Sequence, residues 1–97
     1  MSKIDQLHKA FESRVRLGIM SILMVNDWVD YKSLKEQLNL TDGNLASHIN
    51  GLDKLEFLMI NKGFIGKKTN TTYRITELGK QKFSEHIGAL ERLIKGI

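Results

Sequence analysis

Ninety-seven residues, 41% apolar and 27% charged, amount to one ordinary globular domain with a single core and little room for the deep cleft of a free-standing enzyme. The absence of cysteine excludes thiol catalysis, disulfides and cysteine-ligated metal, and no apolar stretch approaches a membrane span or a secretory h-region. A net charge of +4 favours anionic partners.

In chain order, Ile4, Leu7 and Phe11 share a helical stripe over Lys3–Glu12, which predicts a short amphipathic helix. Ser13 is a candidate N-cap for the next helix. Val15, Leu17, Ile19, Met20, Ile22, Leu23 and Met24 make that helix apolar on nearly every side, as for a central core helix, with Gly18 and Ser21 small enough to admit a neighbour. Asn26 and Asp27 break the pattern, and Trp28–Val29 reads as a brief extended patch. Asp30 then caps a helix whose entry is stapled by Val29 and Leu34, and whose Leu34 and Leu38 face inward.

Asn39 tolerates the left-handed conformation that ends a helix, and Thr41 caps a second one, stapled by Leu40 and Leu45. Two staples around one short helix fix its angle to its successor, as a helix-turn-helix requires. Over Asp42–Leu55, the residues Leu45, Ile49, Leu52 and Leu55 share one face. At about 100° per residue, Gly43, Asn44, Ser47 and Gly51 point away from it, with Ala46 and His48 on its borders. Phe57–Asn61 and Thr71–Ile75 are β-branched and aromatic runs joined by a loop with Gly63, Gly66, Lys67, Lys68 and Asn70, a hairpin with a flexible basic tip. Thr76 caps a last helix in which Phe83, Ile87, Leu90, Ile94 and Ile97 repeat as a heptad seam.

The stretches RVRLGIMSIL, DYKSLKEQLNLTDGNLASHINGLDKLEFL and FIGKKTNTTYRITELGKQKF resemble small winged-helix transcriptional regulators of the MarR/ArsR-like type. Thr41, Asp42, Gly43, Asn44, Leu45, His48, Ile49 and Leu52 fall on the pattern of the stand-alone bacterial and archaeal members, and the match runs from Val15 to Phe83. The expected fold is α+β, mainly α: a winged helix-turn-helix of about five helices plus a β-hairpin wing, in one domain spanning residues 1–97. The resemblance implies a homodimer that regulates transcription by sequence-specific binding to double-stranded DNA, in the prokaryotic cytoplasm at the nucleoid. Helix 42–55 would enter the major groove, and the wing, 62–74, would lie on the backbone or minor groove. Family wings often carry arginine and proline where this chain has Lys67, Lys68 and Thr69, which shifts the expected wing contact toward phosphates.

Asn44, Ser47 and His48 are the candidate base readers: the Asn44 amide can pair bidentately with adenine, and the other two can donate or accept. The border position of His48 equally suits a phosphate contact or a structural hydrogen bond. Each of these residues could instead be a solvated surface group. Thr41, Gly43, Lys62, Lys67, Lys68, Thr69, Asn70, Thr71 and Arg74 are candidate backbone contacts. Gly51 fits a close approach either to DNA or to another helix. No arginine stands on the reading helix, and Thr41–Glu56 carries Lys54 against Asp42, Asp53 and Glu56, so the grip is expected from the wing. That local acidity also motivates an alternative, a winged-helix module for protein–protein contact. The two terminal stripes, at about residues 1–12 and 77–97, are read as a dimer interface of Ile4, Leu7, Phe11, Phe83, Ile87, Leu90, Ile94 and Ile97 rather than as packing within one chain. Three histidines, His8, His48 and His86, without cysteine make a poor metal site, no nucleophile, phosphate-loop or paired-carboxylate motif is present, and no pattern names a cofactor, membrane partner or effector.

Overall fold

The computed structural model describes residues 3–96, so Ile97 of the predicted seam lies outside the described residues. Four α-helices, α1 (Arg14–Val25), α2 (Tyr31–Leu38), α3 (Asp42–Lys54) and α4 (Glu77–Lys95), combine with β1 (Val29–Asp30), β2 (Leu58–Ile65) and β3 (Lys68–Ile75). The strands form one antiparallel sheet in the order β1-β3-β2. This is the mainly helical winged helix expected, with four α-helices rather than five and a third strand added to the hairpin.

The helix starts are set locally. Ser13, Asp30, Thr41 and Thr76 all have extended backbones, and each side chain accepts the N–H of the residue three positions on, which satisfies an amide that a helix start leaves open. Asn39 ends α2 at φ 52°, and the Leu40 N–H returns to the Lys35 carbonyl at 3.1 Å. Both staples have closed: Val29, Leu34 and Leu45 are buried, and Leu40 packs against the same core. The α2–α3 angle is therefore held from both sides of the turn.

The N-terminal stretch departs from the expected α-helix. It forms two 3-10 turns, Lys3–Gln6 and Lys9–Phe11. His8 separates them because its amide is committed elsewhere: its N–H donates to Nδ1 of His86 at 3.0 Å, while its own Nδ1 accepts the Ala10 N–H at 3.1 Å. Arg92 of α4 adds two hydrogen bonds to Oε1 of Gln6. Strapped down in this way, the segment inserts Phe11 into the core, among the rings of His8, Phe57, Phe83 and His86.

This packing corrects two members of the predicted dimer seam. Phe11 and Phe83 are core residues of the single chain, because the buried face of α4 follows Gly79, Phe83, His86 and Ala89 rather than the heptad. Leu7 and Leu90 are half-buried, whereas Ile4, Ile87 and Ile94 are exposed, Ile94 by 83%. Helix α1 likewise buries Ile19, Met20 and Leu23 but leaves Val25 82% exposed, since the other elements cover only one side of its C-terminal end. Gly18 does admit a neighbour, for an added Cβ would meet Leu38 Cδ2 at 2.7 Å. Leu55, expected on the buried face of α3, is the exposed C-cap from which the chain turns through Glu56 at φ 65°.

Strand β1 uses the brief extended patch: Val29 pairs with Tyr73 and Asp30 with Thr72. The hairpin continues through most of what was expected to be loop, ending in the two-residue turn Gly66–Lys67. Gly66, at φ 62°, supplies the positive φ that such a turn demands. Among the described residues, no helix is long and apolar enough to cross a membrane.

Candidate nucleic-acid interface

The core clamps α3 through Leu45, Ile49 and Leu52, and its opposite face is solvent-exposed and polar: Gly43, Asn44, Ser47, Asn50 and Lys54. The N-terminus of α3 is tied to α2 twice. The Tyr31 hydroxyl donates to the Asp42 carbonyl at 2.9 Å, and Lys35 pairs with the Asp42 carboxylate at 3.0 Å. That pairing offsets the charge that would otherwise repel phosphates at the helix start, and it commits Lys35 within the protein. An added Cβ at Gly43 would meet nothing within 4 Å, so a ligand backbone can approach the first amides of α3 without obstruction.

Asn44 and Ser47 stand free on this face. His48 is half-buried, and its Nδ1 accepts the Nε–H of Arg16 from α1 at 3.1 Å. Burial, with the Arg16 charge behind it, holds the His48 imidazole below its ordinary titration range. Arg16 also accounts for Gly51, since its guanidinium occupies the space that a side chain at 51 would fill. The close approach left open by the sequence is thus made by a neighbouring helix. One turn away, Arg14, Val15, Leu38, Asn39, Leu40 and Asn44 line a surface groove of about 440 Å³.

Arg14 and Arg16 were missed as functional candidates. The signals were present in an Arg-x-Arg pair in the first turn of α1 and in a reading helix that lacks arginine but carries an otherwise costly mid-helix glycine.

The wing brings together most of its predicted contacts and separates one. Lys62, Lys67, Lys68 and Thr69 are exposed, and Asn70 and Thr71 are half-buried. Strand alternation and the register put Lys62, Phe64, Thr69 and Thr71 on the face that carries Tyr73 and Ile75 into the core, and Ile65, Lys68 and Asn70 on the other. Arg74 sits near the base of the hairpin and pairs with Asp27 at 3.1 Å, which draws it away from the lysines of the tip. Phe64 and Ile65, at the end of β2 beside that tip, are 74% and 69% exposed.

Comparison with known proteins agrees with this architecture. The family model described as a winged helix DNA-binding domain matches residues 15–94. The chain is 36% identical over 89 residues to the uncharacterized protein MJ0432 of Methanocaldococcus jannaschii, spanning 92% of this chain and 97% of that protein. A transcriptional regulator homologue from Pyrococcus horikoshii OT3 superposes with a TM-score of 0.89 at 28% identity, covering 99% of this chain and 97% of its own. A MarR-family regulator from Silicibacter pomeroyi shares the fold at 14% identity, with a TM-score of 0.64, over 98% of this chain and 66% of that one. The chain belongs to the winged helix DNA-binding domain family.

Proposed function

We propose that the protein is a homodimeric, sequence-specific transcriptional regulator working at the prokaryotic nucleoid, with α3 in the major groove and the wing on the phosphate backbone and minor groove. The observation that carries this reading is the exposed polar face of α3, free of large apolar residues and held at its start by the stapled Thr41 cap, with Lys67 and Lys68 at the tip of a projecting hairpin. Asn44 and Ser47 would read base edges, and Gly43 with the wing lysines would meet phosphates. The rival reading, an acidic α3 docking a basic protein, is weakened by the Lys35–Asp42 pair and by the Arg16 guanidinium lying along α3.

Gel shifts on random-sequence duplex DNA at increasing salt test the two readings together. Binding should fall steeply, with log K dropping by about 0.9 per phosphate neutralised for each unit of log salt. A folded protein that bound no duplex at low salt would sink the DNA reading. Replacing Lys67 and Lys68 together by alanine should weaken all sequences alike and flatten the slope. Asn44→Ala should instead relax preference at one base position per half-site, by about 1–3 kcal/mol of discrimination.

Dimerisation is inferred from uncovered apolar surface. Ile87 and Ile94 are exposed on α4, and Met24, Phe83 and Ile87 line a groove of about 380 Å³ between α1 and α4. A two-fold dimer would cover this surface and set the spacing of two reading helices. Ile87→Glu combined with Ile94→Glu should give a folded monomer in analytical ultracentrifugation, with the helical circular dichroism of the parent. A variant that remained dimeric would place the interface elsewhere.

A further inference from the structure

We propose that Arg16 belongs to the DNA interface itself, supplying from α1 the arginine contact that α3 lacks and fixing His48 as a hydrogen-bond donor toward DNA. This rests on the DNA-binding reading above.

Asn44, His48 and Gly51 follow one another at steps of four and three, so they form a single stripe along one flank of α3. Arg16 lies against the lower part of that stripe and Arg14 lies by its upper end, in the groove shared with Asn44. The Ser13 cap holds the backbone N–H of Arg16 at 3.3 Å, and the bond from its Nε–H to His48 at 3.1 Å directs the side chain along α3. Glycine at 51 gives the guanidinium its seat, since any side chain there would displace it.

The hydrogen bond has a chemical consequence. The Arg16 Nε–H points at Nδ1 of His48, so Nδ1 carries the lone pair and the neutral ring bears its proton on Nε2. Burial and the adjacent cation both keep the ring neutral. The flank then offers DNA a neutral N–H donor from His48 beside the remaining N–H groups of a permanently charged guanidinium. Such a set seeks an acceptor, and duplex DNA provides two kinds: a phosphate oxygen at the groove edge, or O6 and N7 of guanine within it.

Three measurements on the intact protein test this. The ring ¹⁵N shifts of His48 report its tautomer, and Arg16→Met or Gly51→Ala should replace the fixed Nε2–H form by a mixture. Salt titration on random-sequence duplex and selection from a random duplex pool then separate the two acceptors. If the acceptor is phosphate, Arg16→Met should flatten the log–log salt slope by about 0.9 per protomer and leave the selected sequence unchanged. If it is guanine, one selected guanine per half-site should lose roughly tenfold preference at an unchanged slope.

Gly51→Ala displaces the guanidinium but keeps its charge. It should shift the His48 tautomer and weaken the DNA readout in the same direction as Arg16→Met and to a smaller extent, and it guards against a folding failure because alanine is the better helix former. A purely structural Arg16 would leave slope and selected sequence as in the parent, and that result overturns the proposal while leaving DNA binding intact. A parent that binds no duplex overturns the DNA-binding reading itself, and this inference with it.

Discussion

Phe11→Ala should destabilise the domain by about 3–5 kcal/mol, lowering Tm by roughly 12–40 °C at this size. The side chain is fully buried, stacked on Phe57 at 5.6 Å and meeting the edges of Phe83 and His86 at 5.3 Å. Truncation would remove these ring contacts, each worth about 0.5–1.5 kcal/mol beyond buried area, and leave a cavity that the surrounding rings cannot readily fill. A domain of this kind has a total stability of about 5–15 kcal/mol, so the variant would sit near its unfolding threshold. Urea unfolding followed by circular dichroism at several protein concentrations checks the assignment. A core residue lowers the stability of the monomer itself. If the loss appeared only as weaker dimerisation, with the dilute monomer as stable as the parent monomer, Phe11 would belong to the interface that its helical stripe suggested.

That contrast marks the boundary of what the sequence made legible. The N-cap of each α-helix was readable because the cap is a local device: Ser13, Asp30, Thr41 and Thr76 each bond an amide three residues away. The helix-turn-helix angle followed from staples spanning only a few residues. What escaped depends on distant partners. His8 stops the N-terminal helix by donating to a histidine 78 positions along, and nothing in the stripe Ile4, Leu7, Phe11 reveals that competition. A hydrophobic period shows that a face is buried but not by what, so Phe11 and Phe83 were assigned to a second chain when their own chain covers them. The candidate site divides along the same line. The polar face of α3 and the lysine tip were visible in local pattern, whereas Arg16 reaches His48 across 32 residues and Arg74 is drawn toward Asp27 at the sheet base. The third strand pairs Val29 with Tyr73, a contact for which a two-residue apolar patch carries no recognisable signature.

Acidification below about pH 6.5 should weaken the fold in a way that depends on His86. This imidazole is buried, and its burial, reinforced by His8 and opposed by Glu12, holds its titration below the ordinary value of 6.5. Its Nδ1 accepts the His8 N–H, and Nδ1 of His8 accepts the Ala10 N–H, so a proton on either nitrogen would set one N–H against another. Between the folded and unfolded titration points the unfolded chain binds more protons, so stability rises with pH there. The contribution is fully present above pH 6.5 and is lost as pH falls toward the folded value. One such histidine gives a slope of at most about 1.4 kcal/mol per pH unit. His48, lowered by its own burial and by Arg16, steepens the same window. Asp30 acts later: the Ser33 hydroxyl holds its carboxyl below 3.8, so its stabilisation is lost only in stronger acid. Urea midpoints at pH 8, 7, 6 and 5 should therefore stay level at first and then drop. His86→Gln keeps an acceptor for the His8 amide but has nothing to titrate, so its profile should be distinctly flatter than that of the parent. Parent and variant falling in parallel would assign the acid response to groups other than His86.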